Sequence, residues 1–249
     1  MRFFTFSAFA LATTLSAYAD PVADLKTALA GLNDDGTIRT EVTFTFSSKT
    51  GNDKNPVAPE ATIKVTVEDG AGGLRVTWSR DLLKTIAEEA KAKSSDPEKR
   101  TPSERALREL GAGKLNSYLN AAPEILQSLE HAKLIEEKAD PWQGRPARLL
   151  IFTIDVPLSA RDKKIVKEAN ATAKIWVGAD GLPLAAERSF SFKGRAMLVI
   201  TFESSQLEKL EYARVGNRLV VVRHFEEQNS SGAGESGQQK STAALTFIN

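Results

Sequence analysis

Two architectures diverge at residues 232–237, which read GAGESG. The spacing G-x-G-x-x-G is that of the loop that cradles a dinucleotide pyrophosphate in a doubly wound α/β sheet. The same composition also makes a hairpin turn in an antiparallel sheet. The cofactor fingerprint needs a strand before it, a helix directly after it and a βαβ unit of about 30 residues. Only Gln238 to Asn249 follow, and within them Thr242 to Phe247 (TAALTF) favours a strand. The segment therefore reads as a hairpin loop, and no cofactor is expected.

Working back from that loop, the second half of the chain is strands punctuated by turns. Leu149 to Val156, Thr172 to Val177, Leu184 to Phe192, Arg195 to Phe202, Leu207 to Arg214, Arg218 to Phe225 and Thr242 to Ile248 are the candidates. Gly178-Ala179-Asp180-Gly181, Lys193-Gly194 and Gly216-Asn217 separate several of them. Connections this short join antiparallel neighbours and leave no room for crossover helices. Some runs, such as Leu219 to Val222 and Ala196 to Ile200, are apolar at consecutive positions, so both strand faces are expected to be covered.

The first half supplies the cover. Asp20-Pro21 is a helix start, an N-cap carboxylate followed by proline at the first helical position, with Val22, Leu25 and Leu29 at helical spacing. Ile38, Thr40, Val42, Phe44 and Phe46 then alternate with polar residues as a half-buried strand. Ile63 to Val67 and Leu74 to Trp78 flank a glycine-rich turn and predict a hairpin. Residues 79–132 read as an all-helical insertion, its first helix carrying Leu82, Leu83, Ile86 and Ala90 on one face. The expected fold is α+β: a curved antiparallel sheet, an unclosed β-barrel, with an N-terminal helix and a helical insertion covering the concave face. Residues 20–249 are expected to form a single domain.

The compartment is read from the N-terminus and from composition. Arg2, the apolar run Phe3 to Leu15 and the small-x-small pattern Ala17-Tyr18-Ala19 predict a signal peptide, residues 1–19, cleaved after Ala19. The run is shorter than the roughly 20 residues that span a bilayer, and no later stretch approaches that length. The chain has no cysteine, so there is no thiol to acylate or to cross-link, and a periplasmic location is expected. A net charge of +1 with mixed-sign charge runs predicts no nucleic-acid partner.

Local motifs for catalysis are absent from the string: there is no Gly-x-Ser-x-Gly elbow and no Ser-x-x-Lys. His131 stands beside Glu130 near a helix end, while His224 and Glu226 share a strand face at i, i+2. The latter pair would be half of a metal site, yet zinc takes three or four protein ligands and spacing names no third. No metal and no catalytic residue is expected. The aromatic and apolar residues on strands and arm are the candidates for binding: Phe44, Phe46, Trp78, Leu82, Leu83, Ile86, Trp176 and Phe190 would line an apolar pocket between sheet and helices.

The segment AKIWVGADGLPLAAE, Ala173 to Glu187, resembles a strand–turn–strand unit of the periplasmic lipoprotein-carrier superfamily, the LolA and LolB type with its related RseB-type sensor domain. The order of elements along residues 20–249 is similar as well. The resemblance implies an unclosed β-barrel with a helical lid over a cavity for acyl chains. The chain lacks the acylated cysteine of the LolB type, which implies a paralogue. The leading expectation is a non-enzymatic protein that binds a lipid or lipoprotein acyl chain. The alternative is an envelope interaction or sensor module that binds a protein partner. A hydrolase assembled from distant residues comes third.

Overall fold

In the computed structural model the described residues are 20–32, 36–51, 60–160, 162–196 and 200–248. The predicted signal peptide lies outside them. Helix α1, Pro21–Ala30, starts as its sequence dictates: the Asp20 carboxylate accepts the Val22 N–H at 2.9 Å, and Leu25 and Leu29 are buried. The chain then runs through β1 (Ile38–Thr50), β2 (Glu60–Asp69) and β3 (Arg75–Trp78). Four helices follow: α2 (Arg80–Ser95), α3 (Pro102–Leu110), α4 (Ala112–Leu119) and α5 (Ala122–Ser128). The rest is β4 (Ala132–Ala139), β5 (Arg148–Ile154), the single turn α6 (Asp162–Ile165), β6 (Val166–Val177), β7 (Pro183–Ala196), β8 (Ile200–Val215), β9 (Arg218–Gly232) and β10 (Glu235–Phe247).

The ten strands of the described residues form one antiparallel sheet in the order β3-β2-β1-β10-β9-β8-β7-β6-β5-β4. The last strand, β10, inserts between β1 and β9 and so joins the N-terminal hairpin to the meander. Among the described residues β3 and β4 do not pair, so the sheet stays open. Its register sets the inner face. Val42, Phe44 and Phe46 of β1 stand opposite Val65, Ile63 and Ala61 of β2, and opposite Leu245, Ala243 and Ser241 of β10. All nine are buried. Over that face lies the helical segment, with α3 on β1 and β2, α4 on β9, α2 against α3, and α1 against α5. No helix of the described residues is long and apolar enough to cross a membrane.

GAGESG is a hairpin. Gly232 closes β9, Ala233 and Gly234 form the two-residue turn at φ 54° and 82°, and Glu235 opens β10. Positive φ at both central residues is what a type I′ hairpin turn requires. Gly232 has a further role. Phe202 of β8 pairs with Gly194 on one side and Gly232 on the other, and a side chain at Gly194 would collide with the Phe202 ring. Two glycines thus make room for one aromatic across three strands.

That packing moves one turn. The sequence places it at Lys193-Gly194, whereas β7 continues to Ala196 and Gly194 pairs within the ladder. The glycine serves close approach, not a bend. The expected strands Arg195 to Phe202 and Leu207 to Arg214 therefore do not stand alone: Arg195 and Ala196 belong to β7, and Ile200 to Phe202 and Leu207 to Arg214 belong to β8. Of the apolar run Ala196 to Ile200, residues 197–199 lie outside the described ones. Strand β4 was not expected, because Leu-Ile-Glu-Glu-Lys lacks alternation; it is an edge strand, where charge is tolerated.

Candidate functional site

The densest group of polar side chains on the concave face sits where α4 and α5 cross β7, β8 and β9. Strand alternation puts Arg188, Glu208, His224 and Glu226 on the inner face, and the register brings them side by side: Arg188 opposite Glu208, and Glu208 opposite Glu226. The helices answer from above. The Tyr118 hydroxyl lies 2.9 Å from His224 Nδ1, Lys114 Nζ donates to Glu226 at 3.1 Å, and Arg188 donates to Glu124 at 2.6 Å. A backbone bond from Ala121 N–H to Leu219 O at 2.9 Å completes the attachment.

The proton positions follow from what each group can do. The Glu208 carboxylate only accepts, so His224 Nε2, 3.2 Å away, carries the proton. In the neutral ring Nδ1 then accepts from Tyr118, whose ring packs against the imidazole with centroids 5.3 Å apart. Burial, and then the negative charges of Glu208, Glu226 and Glu124, push the Tyr118 hydroxyl far above its ordinary range, so it keeps its proton. Burial opposes ionisation of Glu208. The His224 hydrogen bond and the charges of Arg188 and Lys114 outweigh it, and the carboxyl sits below its usual range.

The lowered Glu208 value has a consequence for acid stability. Its ionised form stabilises the fold fully above the unfolded pKa of about 4.3, and that contribution is lost as pH falls through the folded value. Wild type should therefore lose more stability than Glu208→Gln between about pH 5 and pH 3. Urea midpoints for both proteins at the two pH values measure this, and parallel losses would contradict it.

Two cavities adjoin this network. One of about 200 Å³, of mixed lining, includes Lys114, Tyr118, Glu124, Arg188, Glu208 and His224 beside Ile125, Leu210 and Val221. A smaller apolar one of about 90 Å³ lies between Ile125, Leu129, Phe152, Ile154, Ile175 and Ala186. Ile125 and Arg188 line both. Every charged side chain of the network already has a partner in it, and no group of three or more His, Cys, Asp or Glu among the described residues is placed to hold a metal. Chemically the arrangement is a latch that holds α4 and α5 on the sheet.

The eight residues named from sequence fall in different places. Phe44 and Phe46 are buried on the inner face of β1, and Leu82 and Ile86 pack against the same core. Phe190 shares the inner face with Arg188 and stacks with Phe192, centroids 5.7 Å apart. Trp176 points to the opposite face from its neighbours Ile175 and Val177; it packs on Trp142 at 4.7 Å and donates its indole N–H to Asp140 at 2.8 Å. Trp78 and Leu83 are each 46% exposed, at the joint where edge strand β3 enters α2. The pair His224–Glu226 gains Glu208 beside it, but also Tyr118 and Lys114 from helix α4, more than a hundred residues away in sequence. Sequence spacing carries no trace of those partners.

No family model matches the chain, and no curated protein matches it. Among solved structures the chain is similar to the crystal structure of MucB in complex with MucA(peri), at 10% identity and a TM-score of 0.24, over 90% of this chain and 94% of that one.

Proposed function

We propose that this chain is a non-enzymatic periplasmic protein whose work is to bind another polypeptide in the cell envelope, and that the partner docks on the free edge of β3. Export is supported by the pattern of residues 1–19 and by the cysteine-free composition. The observation that carries the reading is the exposure of Trp78 and Leu83 beside a strand edge that is unpaired among the described residues. A sheet edge offers a row of backbone donors and acceptors to an extended segment, and neighbouring apolar side chains give that segment its specificity.

The two edges differ in how they are guarded. Strand β4 carries Glu136, Glu137 and Lys138 and a register shift between Leu134 and Glu136, both devices that discourage pairing. The exposed Ile135 of β4 falls at that register shift, whereas β3 pairs in regular register and ends in the exposed Trp78. The alternative, an acyl chain held under the helices, has less support. The apolar cavity there holds about 90 Å³, whereas pockets for lipid-sized ligands run to about 300 Å³ or more.

Photoreactive phenylalanine analogues at Trp78 and Leu83, introduced in the native host, test the assignment. Discrete adducts with one envelope protein are expected from both positions and not from Lys64, an exposed site within β2. Titration with a fluorescent fatty acid is the opposing arm. Saturable binding that tightens with acyl length and weakens in Ile86→Glu would replace the protein-partner reading with the lipid one.

A further inference from the structure

A third cavity lies away from both the latch and the β3 edge. It holds about 360 Å³ and sits between the α2–α3 connection and the far end of β1. Five cations line it, Lys93, Lys99, Arg100, Arg105 and Arg108, against two carboxylates, Glu98 and Glu104. The whole chain carries a net charge of only +1, so this excess is a local accumulation and not the general character of the surface. Among the described residues none of the five cations is in an ion pair.

Arg105 is the best placed of them. Its guanidinium lies over the Phe46 ring, 5.2 Å from the centroid, and its Nε is buried without a hydrogen-bond partner. A buried donor of a charged group left unbonded is costly unless a ligand fills the place. Stacking on an aromatic fixes the plane of the guanidinium in advance, which favours two parallel bonds to an oxyanion. The amide donors at the start of α3 are already taken: the Glu89 carboxylate accepts from Ser103 and Glu104 N–H at 3.0 and 3.2 Å. The anion would thus be held by side chains.

We infer that this cavity binds a phosphate ester. A carboxylate would neutralise one of the three excess positive charges. A phosphate monoester brings a charge of about −1.5 to −2 and three acceptor oxygens. The volume exceeds the roughly 30 Å³ share of one water by about tenfold, so the phosphate enters with the group it is attached to. Free esters and phospholipid headgroups present the same chemistry.

The test uses the whole chain in two arms. One is calorimetric titration with glycerol 3-phosphate, and the other is co-sedimentation with phosphatidylcholine vesicles with and without phosphatidic acid. Saturable, salt-sensitive binding is expected in at least one arm; the first alone marks a free ester, and the second alone marks a headgroup. Losing a charge-assisted bond weakens binding by about tenfold or more, so Arg105→Gln should show that loss. Arg105→Lys, which keeps the charge without the fork, should fall between. Arg108→Gln at an exposed side chain provides a second weakened variant, with thermal melts to establish that each protein is folded. No saturable binding in either arm at low salt, or equal binding by folded Arg105→Gln, overturns the assignment. Neither outcome touches the β3-edge reading, which rests on other residues.

Discussion

Asp69→Ala is expected to destabilise the protein by about 3–5 kcal/mol, the cost of removing one carboxylate from a buried ion pair. Asp69 ends β2, and its carboxylate meets the Arg218 guanidinium at the start of β9. Only 3% of the Arg218 side chain and 10% of the Asp69 side chain reach solvent. Arg218 also donates to Gly36 O at 2.9 Å, so the same side chain fixes the segment that leads into β1. Strands β2 and β9 are not neighbours: β1 and β10 lie between them. On a flat sheet three strand spacings come to about 14 Å, so a direct ion pair across that interval demands strong curvature. The pair therefore pins the curl that gives the helices a concave face to cover.

Urea unfolding measures the loss. With a slope of about 2–3 kcal/mol/M, the midpoint of Asp69→Ala should fall by about 1–2 M. The double variant Asp69→Leu/Arg218→Met separates two meanings of that loss. Replacing both charges by apolar groups removes the buried guanidinium together with the carboxylate, and stability should return toward wild type. A single variant within about 1 kcal/mol of wild type would show that water reaches Arg218 on relaxation and that curvature does not depend on the pair.

The sequence was most legible where structure is set by neighbours in the chain. The period-2 alternation of Ile38 to Phe46 became β1 with its apolar set on the inner face, and Asp20-Pro21 became the start of α1. GAGESG became a two-residue hairpin because the residues after it continue directly as a strand and not as a helix. Legibility failed where a residue acts through a distant partner. Gly194 reads locally as a bend, and only Phe202, across the ladder, explains why it is a strand glycine. The latch is the same problem in polar form. His224 and Glu226 announce themselves at i, i+2, whereas Tyr118, Arg188 and Glu208 come from three other elements and meet them only through register. Arg105 over Phe46 was hidden for that reason too, since sequence offered Phe46 as a lining for apolar ligands and gave it no cation.

The aromatic residues show how far one sequence class can divide on folding, and Phe44→Ala measures the division. Phe44 is fully buried on the central strand β1, between Ile63 of β2 and Ala243 of β10, with Lys114 Nζ 5.8 Å from its ring centroid. Truncation removes the ring from a filled interior and leaves a void that rigid strands on both sides close only in part. The expected cost is about 3–5 kcal/mol. Trp78→Ala, at a half-exposed edge position, should cost far less, about 1 kcal/mol or below, while abolishing the adducts expected at the β3 edge. The two variants therefore move different readouts. If Phe44 instead lined an open acyl-chain pocket, its truncation would leave stability nearly unchanged and alter fatty-acid affinity. A folded Phe44→Ala protein that gains fatty-acid binding absent from wild type would show that the interior accepts a chain only once a cavity is made for it, which is what a filled core predicts.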